Sequence, residues 1–178
     1  MEAKTLFLFI AALLLSGCAL TKQDCAKLDW HQQGLEDGFK GMVARSGYWQ
    51  SQCQVHGYPV NQSAYSKGWA EGNRQYCTPQ QGYRNGTMGN AYQGVCPDKT
   101  QDSFLKSYNQ GLKVFQRNQY RESLYNRQSA IQSQIIKIDS RLDHNKKLSP
   151  DEKDHLRWQR QQLVLESHHI DTILLRMM

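Results

Sequence analysis

The chain of 178 residues has no apolar run long enough to cross a bilayer. Its longest, Leu6 to Leu15, has ten residues, where a spanning helix needs about 20. Proline is scarce, with four in all and none between Pro97 and Pro150, so nothing in that interval forces a helix to break. Glycine ends at Gly111. No block of like charge occurs. The net charge of +6 divides into +2 over residues 19–100 (eight basic, six acidic) and +4 over residues 101–178 (thirteen basic, nine acidic). Interspersed charge of this kind reads as a solvated face, and no nucleic-acid partner is implied. Catalytic signatures are also missing. There is no Gly-x-Ser-x-Gly elbow, phosphate loop, dinucleotide fingerprint or His-Glu-x-x-His. No Cys-x-x-Cys knuckle supports zinc, and the six histidines show no ligand spacing. The chain therefore reads as a non-enzyme, with no catalytic residue, metal or cofactor implied.

What is present begins at the N-terminus. Lys4 gives a small positive flank to the apolar run, and small residues Ser16 and Gly17 precede Cys18. A run this short with these flanks reads as a secretory signal. The group Leu15-Ser16-Gly17-Cys18 resembles the lipobox of bacterial lipoproteins. That resemblance implies a diacylglyceryl group on the Cys18 thiol, cleavage before Cys18 and acylation of the new amine. Residues 1–17 are then a signal peptide and 18–24 a lipidated tether. Two or three acyl chains anchor a protein durably where one does not. Ala19 follows Cys18 where lipoproteins kept at the inner membrane carry Asp, which implies outer-membrane delivery on the periplasmic side. The arm from Cys18 to Cys25 spans at most about 25 Å.

Four cysteines remain: Cys25, Cys53, Cys77 and Cys96. An even number in an oxidising compartment predicts two disulfides, with the pairing left open among three connectivities.

Glycine divides the chain, with eleven of its thirteen glycines from Gly34 to Gly94. Within that stretch a pattern repeats. Gly34-Leu-Glu-Asp-Gly38 is echoed by Gly68-Trp-Ala-Glu-Gly72 and Gly82-Tyr-Arg-Asn-Gly86, with a degenerate copy at Tyr108-Asn-Gln-Gly111-Leu112. Asp37-Gly38 and Asn85-Gly86 suit hairpin turns, but their flanks lack period-2 alternation. Helices fit better. Glycines four apart share a face and admit a neighbouring backbone, at about 1 kcal/mol each relative to Ala. The repeat is then a packing device. Its functional alternative is a binding platform built from Trp30, Asp37, Trp69 and Glu71, with Trp49 beside them. The carboxylates Asp29, Glu36, Asp37 and Glu71 are the candidates for acid/base chemistry, a role for which exposed helix faces are the commoner explanation.

From Phe104 to about Asn145 the residues favour helix. Ile131, Ile135, Ile138 and Leu142 form a seam. Ser149-Pro150-Asp151-Glu152 offers a cap, a proline suited to the first helical position and a capping box. Leu156, Leu163 and Ile170 recur every seven residues, with Leu165, Ile173 and Leu174 broadening the stripe. The short break at 145–149 predicts an antiparallel hairpin. The expected fold is mainly α: a disulfide-linked, glycine-rich helical domain over 25–100, then a helical hairpin over 101–178.

The ordered set of Asp29-Trp30, Gly34, Asp37-Gly38, Gly41, Tyr65-Ser-Lys-Gly68, Tyr76-Cys77, Gly82, Gly86, Tyr92, Cys96 and Tyr108, behind a lipobox, resembles a family of Gram-negative envelope lipoproteins carrying a domain of unknown function. The resemblance spans roughly residues 24–115, leaves out the second hairpin helix, and implies no activity or substrate. The expectation is an outer-membrane-anchored periplasmic lipoprotein with a structural or protein-interaction role, held to the membrane at Cys18 and bound to a protein partner in the envelope. The alternative is a lipoprotein that binds a small molecule or glycan.

Overall fold

A computed structural model describes residues 20–177, so the signal segment and Cys18 lie outside the described residues. The described chain is helical and carries no strand. The helices are α1 (Lys22–Lys27), α2 (Trp30–Phe39), α3 (Ser46–Cys53), α4 (Gln62–Tyr76), α5 (Pro79–Met88), α6 (Asp98–His144) and α7 (Pro150–Arg176). A 3-10 turn, Gln54–His56, follows α3. None of them is long and apolar enough to cross a membrane.

Local chemistry sets the helix starts. Thr21 and Asp24 form a capping box on α1, Asp29 accepts from the backbone N–H groups of His31 and Gln32 on α2, and Asn61 caps α4. Thr78 caps α5 with Pro79 in its first turn. Each side chain satisfies an amide that the helix leaves unpaired.

The chain divides into two compact units, the first ending at Leu112 and the second running from Lys113. In the first unit the glycine repeat is a helix-pairing device. A Cβ on Gly34 or Gly38 of α2 would overlap the carbonyl oxygens of Tyr65 and Trp69 of α4. Reciprocally, a Cβ on Gly68 or Gly72 would overlap those of His31 and Leu35. The backbones approach so closely that only hydrogen fits on either side. Glycine Cα–H groups directed at carbonyl oxygens are a recurrent weak contact at such crossings.

The same construction follows immediately. Gly82 and Gly86 of α5 face the carbonyl oxygens of Phe104 and Tyr108 of α6, and Gly111 faces that of Tyr83. The equivalence extends to the turns. Gly41 and Gly89 both have left-handed backbones, at φ +69° and +71°. Met42 N–H donates to Asp37 O and Asn90 N–H to Asn85 O, each at 3.0 Å. Trp69 Nε1 donates to Met42 O at 2.9 Å, and Tyr108 Oη to Asn90 O at 2.8 Å. The first unit is thus a tandem of two glycine-notched helix pairs.

The first helix of each pair lies inside one disulfide loop, α2 within Cys25–Cys53 and α5 within Cys77–Cys96. Cys25–Cys53 ties α1 to the end of α3, and Cys77–Cys96 ties the end of α4 to the segment before α6. Closing loops of 28 and 19 residues stabilises by about 3 kcal/mol each in the chain-entropy account. Tyr76, Phe104, Cys77 and Cys96 form the core between the pairs, with Tyr92 and Tyr108 packed against it.

The first unit extends past the expected boundary at residue 100, because the degenerate glycine copy at Gly111 completes the second pair. Helix α6 has no breaker at that point and serves both units.

The second unit is the hairpin. Ile131 and Ile135 pack with Ile170 and Leu174, and Ile138 with Leu148 and Leu156. Arg127 makes paired bonds to Glu166, and Arg160 to Asp139. Higher numbers on α6 meet lower numbers on α7, so the two run antiparallel. The turn closes with the Ser149–Glu152 capping box. Leu165 departs from expectation. It is 56 % exposed, because nine residues from Leu156 at 100° per residue puts it on the opposite helix face.

Candidate functional site

Two places combine chemistry with a defined geometry. The first is centred on Asp37, whose side chain is fully buried. It is enclosed by Tyr65 of α4, Trp49 of α3 and Arg45. Four side chains donate five hydrogen bonds to its two oxygens. Oδ1 accepts from Arg45 Nη2 at 2.6 Å and Gln33 Nε2 at 3.2 Å. Oδ2 accepts from Tyr65 Oη at 2.7 Å, Trp49 Nε1 at 2.9 Å and Arg45 Nε at 3.4 Å. Tyr65 Oη in turn accepts from the Arg45 backbone N–H at 2.8 Å. The Arg45 guanidinium lies over the rings of Tyr48 and Trp49, 5.7 and 5.3 Å from their centroids.

Electrostatics follow from this enclosure. Burial pushes the Asp37 carboxyl up, but the donors Arg45, Trp49 and Tyr65 and the Arg45 charge outweigh it and hold the group below its ordinary value. Burial is also the largest influence on Tyr65. The Arg45 N–H opposes it, the Asp37 carboxylate adds to it, and the phenol is pushed up to about 12. Asp37 is therefore an ionised, fully satisfied acceptor with no lone-pair site open to a substrate. Its chemistry is that of a structural node.

The other residues of the expected platform are placed apart from this node. Glu71 pairs with His31 at 3.4 Å on a solvated face. Trp69 is half-buried, and its indole N–H is taken by Met42 O. Trp30, also half-buried, opens α2. Asp29 caps that helix, and Glu36 pairs with Lys40. Each carboxylate considered for acid/base chemistry thus has its own local partner. Among the described residues no group of three or more His, Cys, Asp or Glu is placed to hold a metal ion.

The second place is on the hairpin. A groove of about 500 Å³ runs between α6 and α7, with Ile138, Leu156 and Leu163 at its floor and Trp158, Lys137 and Arg141 among its walls. Trp158 is 58 % exposed. Ile136, Leu165 and Leu175 are further exposed apolar side chains of this unit. A two-helix unit has no third element to cover its seam, so its apolar edge stays accessible.

Sequence reasoning missed Arg45 and Trp158. Arg45 stands between two helices in no motif. The signal that a partner must exist was Asp37 itself, an acid on a glycine-lined helix face that must be paired once buried. The signal for Trp158 was a large aromatic on the polar side of an amphipathic helix.

Residues 29–113 match the model of a family described as a protein of unknown function, DUF2799. The match starts at the cap of α2 and ends at the boundary of the first unit, so it covers the tandem helix pairs and omits the hairpin. Among curated proteins, the chain is similar to the uncharacterized protein YfiL of Escherichia coli strain K12. The two are 29 % identical over 91 residues, 49 % of this chain and 71 % of that protein. These similarities support kinship with an uncharacterised family. No solved structure matches the chain.

Proposed function

We propose that this chain is a lipoprotein of the bacterial envelope. Acylated Cys18 anchors it to the periplasmic side of the outer membrane, and its role is protein interaction or structural support. Several observations support this reading. The N-terminal segment has the parts of a lipoprotein signal. Two disulfides fit an oxidising compartment. Asp24, Asp29, Glu36, Asp37 and Glu71 are each engaged in a cap or a pair rather than convergent in a cleft.

The observation that carries the interaction role is the hairpin groove, with an exposed Trp158 beside an apolar floor. An apolar groove between helices is suited to a partner's amphipathic helix, with an aromatic anchor at its edge. A photoreactive residue at Gln162, on the groove wall, tests it in cells. A discrete adduct with one envelope protein, lost in Trp158→Ala, supports the role. An adduct pattern indifferent to Trp158 removes it.

The alternative, a glycan or small-molecule platform on Trp30 and Trp69, has less behind it. Trp69 is committed to Met42, and Asp37 is enclosed.

A further inference from the structure

The tether is shorter than its residue count suggests, and it is fixed to one place on the body. The capping box starts α1 at Lys22, and the Cys25–Cys53 disulfide locks that helix to the end of α3. Both sulfur-bearing residues are buried. Ahead of α1, the carbonyl oxygen of Leu20 accepts from His56 Nε2 at 3.0 Å. Leu20 therefore sits against the 3-10 turn Gln54–His56. Only Ala19 separates it from Cys18, and two Cα steps reach at most about 7 Å. Val55, next to His56 in that turn, is 77 % exposed. Gly57 turns the chain with φ +84°, and half-buried Tyr58 follows. The exposed charges of α1 are Lys22 and Lys27, with Asp24 engaged by Thr21.

We infer that the face carrying Leu20, Val55 and His56 lies on the lipid bilayer, with Val55 in the interfacial layer. This rests on the reading of Cys18 as the lipid anchor. An acyl group attached within about 7 Å of Leu20 leaves little freedom over which side of the first unit meets the membrane. A lone exposed valine would need no explanation. Placed beside the root of a stapled tether, it has an apolar occupant within reach. The second helix pair is held at the other end of α4, where Tyr76 packs with Phe104. Helix α4 has 15 residues, about 22 Å at 1.5 Å each. Tyr83 of α5 is 46 % exposed and serves as the reference position within the same unit.

The test uses the full-length protein made in a Gram-negative host and reconstituted in phosphatidylethanolamine–phosphatidylglycerol vesicles. A genetically encoded coumarin residue is placed at Val55 or at Tyr83. Nitroxide-labelled lipids quench it, and intact mass reports the state of Cys18. With Cys18 acylated, the probe at 55 should lose most of its fluorescence and the probe at 83 little. Equal quenching, or stronger quenching at 83, with Cys18 acylated overturns the orientation while leaving the anchor in place. An unmodified Cys18 overturns the anchor reading itself, and this inference with it.

Discussion

Tyr65 and Phe104 occupy the same place in two successive helix pairs. The carbonyl oxygen of Tyr65 faces Gly34, and that of Phe104 faces Gly82. Both side chains are fully buried, and they differ by one hydroxyl. In the first pair that hydroxyl donates to Asp37. In the second, Asn85 stands where Asp37 stands. Its amide turns back to Gln81 O and its oxygen accepts from Asn90. Phe104 instead meets Tyr76 and Tyr92, with ring centroids 5.1 and 5.0 Å away. One backbone device thus holds a charged node in one copy and an aromatic core in the other.

Tyr65→Phe should test the first node directly. It leaves Asp37 short of a donor and the Arg45 N–H without its acceptor. The expected cost is about 2 kcal/mol, read as a lower urea midpoint with an unchanged slope. Asp37→Asn should cost more, about 3 kcal/mol. It removes the counter-charge of Arg45 and turns an amide N–H₂ toward groups that all donate.

The node should give stability a dependence on pH at both extremes. The Asp37 carboxyl is held below its ordinary 3.8, so the unfolded chain takes up its proton first. Its contribution is complete above that value and is lost as pH falls through the lower folded value. The Tyr65 phenol, raised from 10.0 to about 12, behaves oppositely. Its contribution is complete below 10 and is lost as pH rises toward 12. Thermal melts across both ranges should show Asp37→Asn flattening the acid limb and Tyr65→Phe flattening the alkaline limb. Unchanged limbs in both variants would contradict the assignment.

Glycines should sort by what faces them. Gly68→Ala pushes a methyl into the His31 carbonyl. Backbone cannot yield as a flexible side chain does, so the change should cost more than about 3 kcal/mol, at the upper end for overpacking. Gly47 lies in α3 with nothing within 4 Å of an added Cβ. Gly47→Ala should stabilise by about 0.5–1 kcal/mol through helix propensity. Denaturant midpoints of the two variants check the sign of each.

The hairpin pairs across α6 and α7 should matter little for stability. Arg127 and Glu166 are well exposed, so water and salt screen their attraction. Ile131→Ala removes a fully buried contact with Ile170 and should cost about 3 kcal/mol. Helix content followed by circular dichroism on heating would separate the two.

Much of this architecture was legible in the residues. The hairpin could be read because Leu156, Leu163 and Ile170 keep one face and Ser149-Pro150-Asp151-Glu152 marks a start. The glycine repeat could be read as helix packing because its flanks do not alternate. The disulfide pairing could not. It follows from which segments the two helix pairs bring together, a fact of tertiary position. The domain boundary was hidden for a similar reason, since α6 runs unbroken from one unit to the other, and Gly111 beside the junction faces Tyr83 O within the helix rather than ending it. Leu165 falls close in sequence to buried-face Leu163, yet two residues turn a helix by about 200°, which leaves Leu165 exposed. At the node, Asp37 was visible as a candidate, but Arg45 gave no local sign.

As proposed above, Cys18 anchors the chain to lipid and the groove of its hairpin takes a partner. The most direct measurement is photo-crosslinking in cells from Gln162, in the acylated protein with Trp158 intact and with Trp158→Ala. One dominant envelope-protein adduct is expected, which disappears in Trp158→Ala while the protein stays folded and membrane-associated. An adduct that persists in Trp158→Ala, or no adduct from a folded and acylated protein, would contradict the proposal.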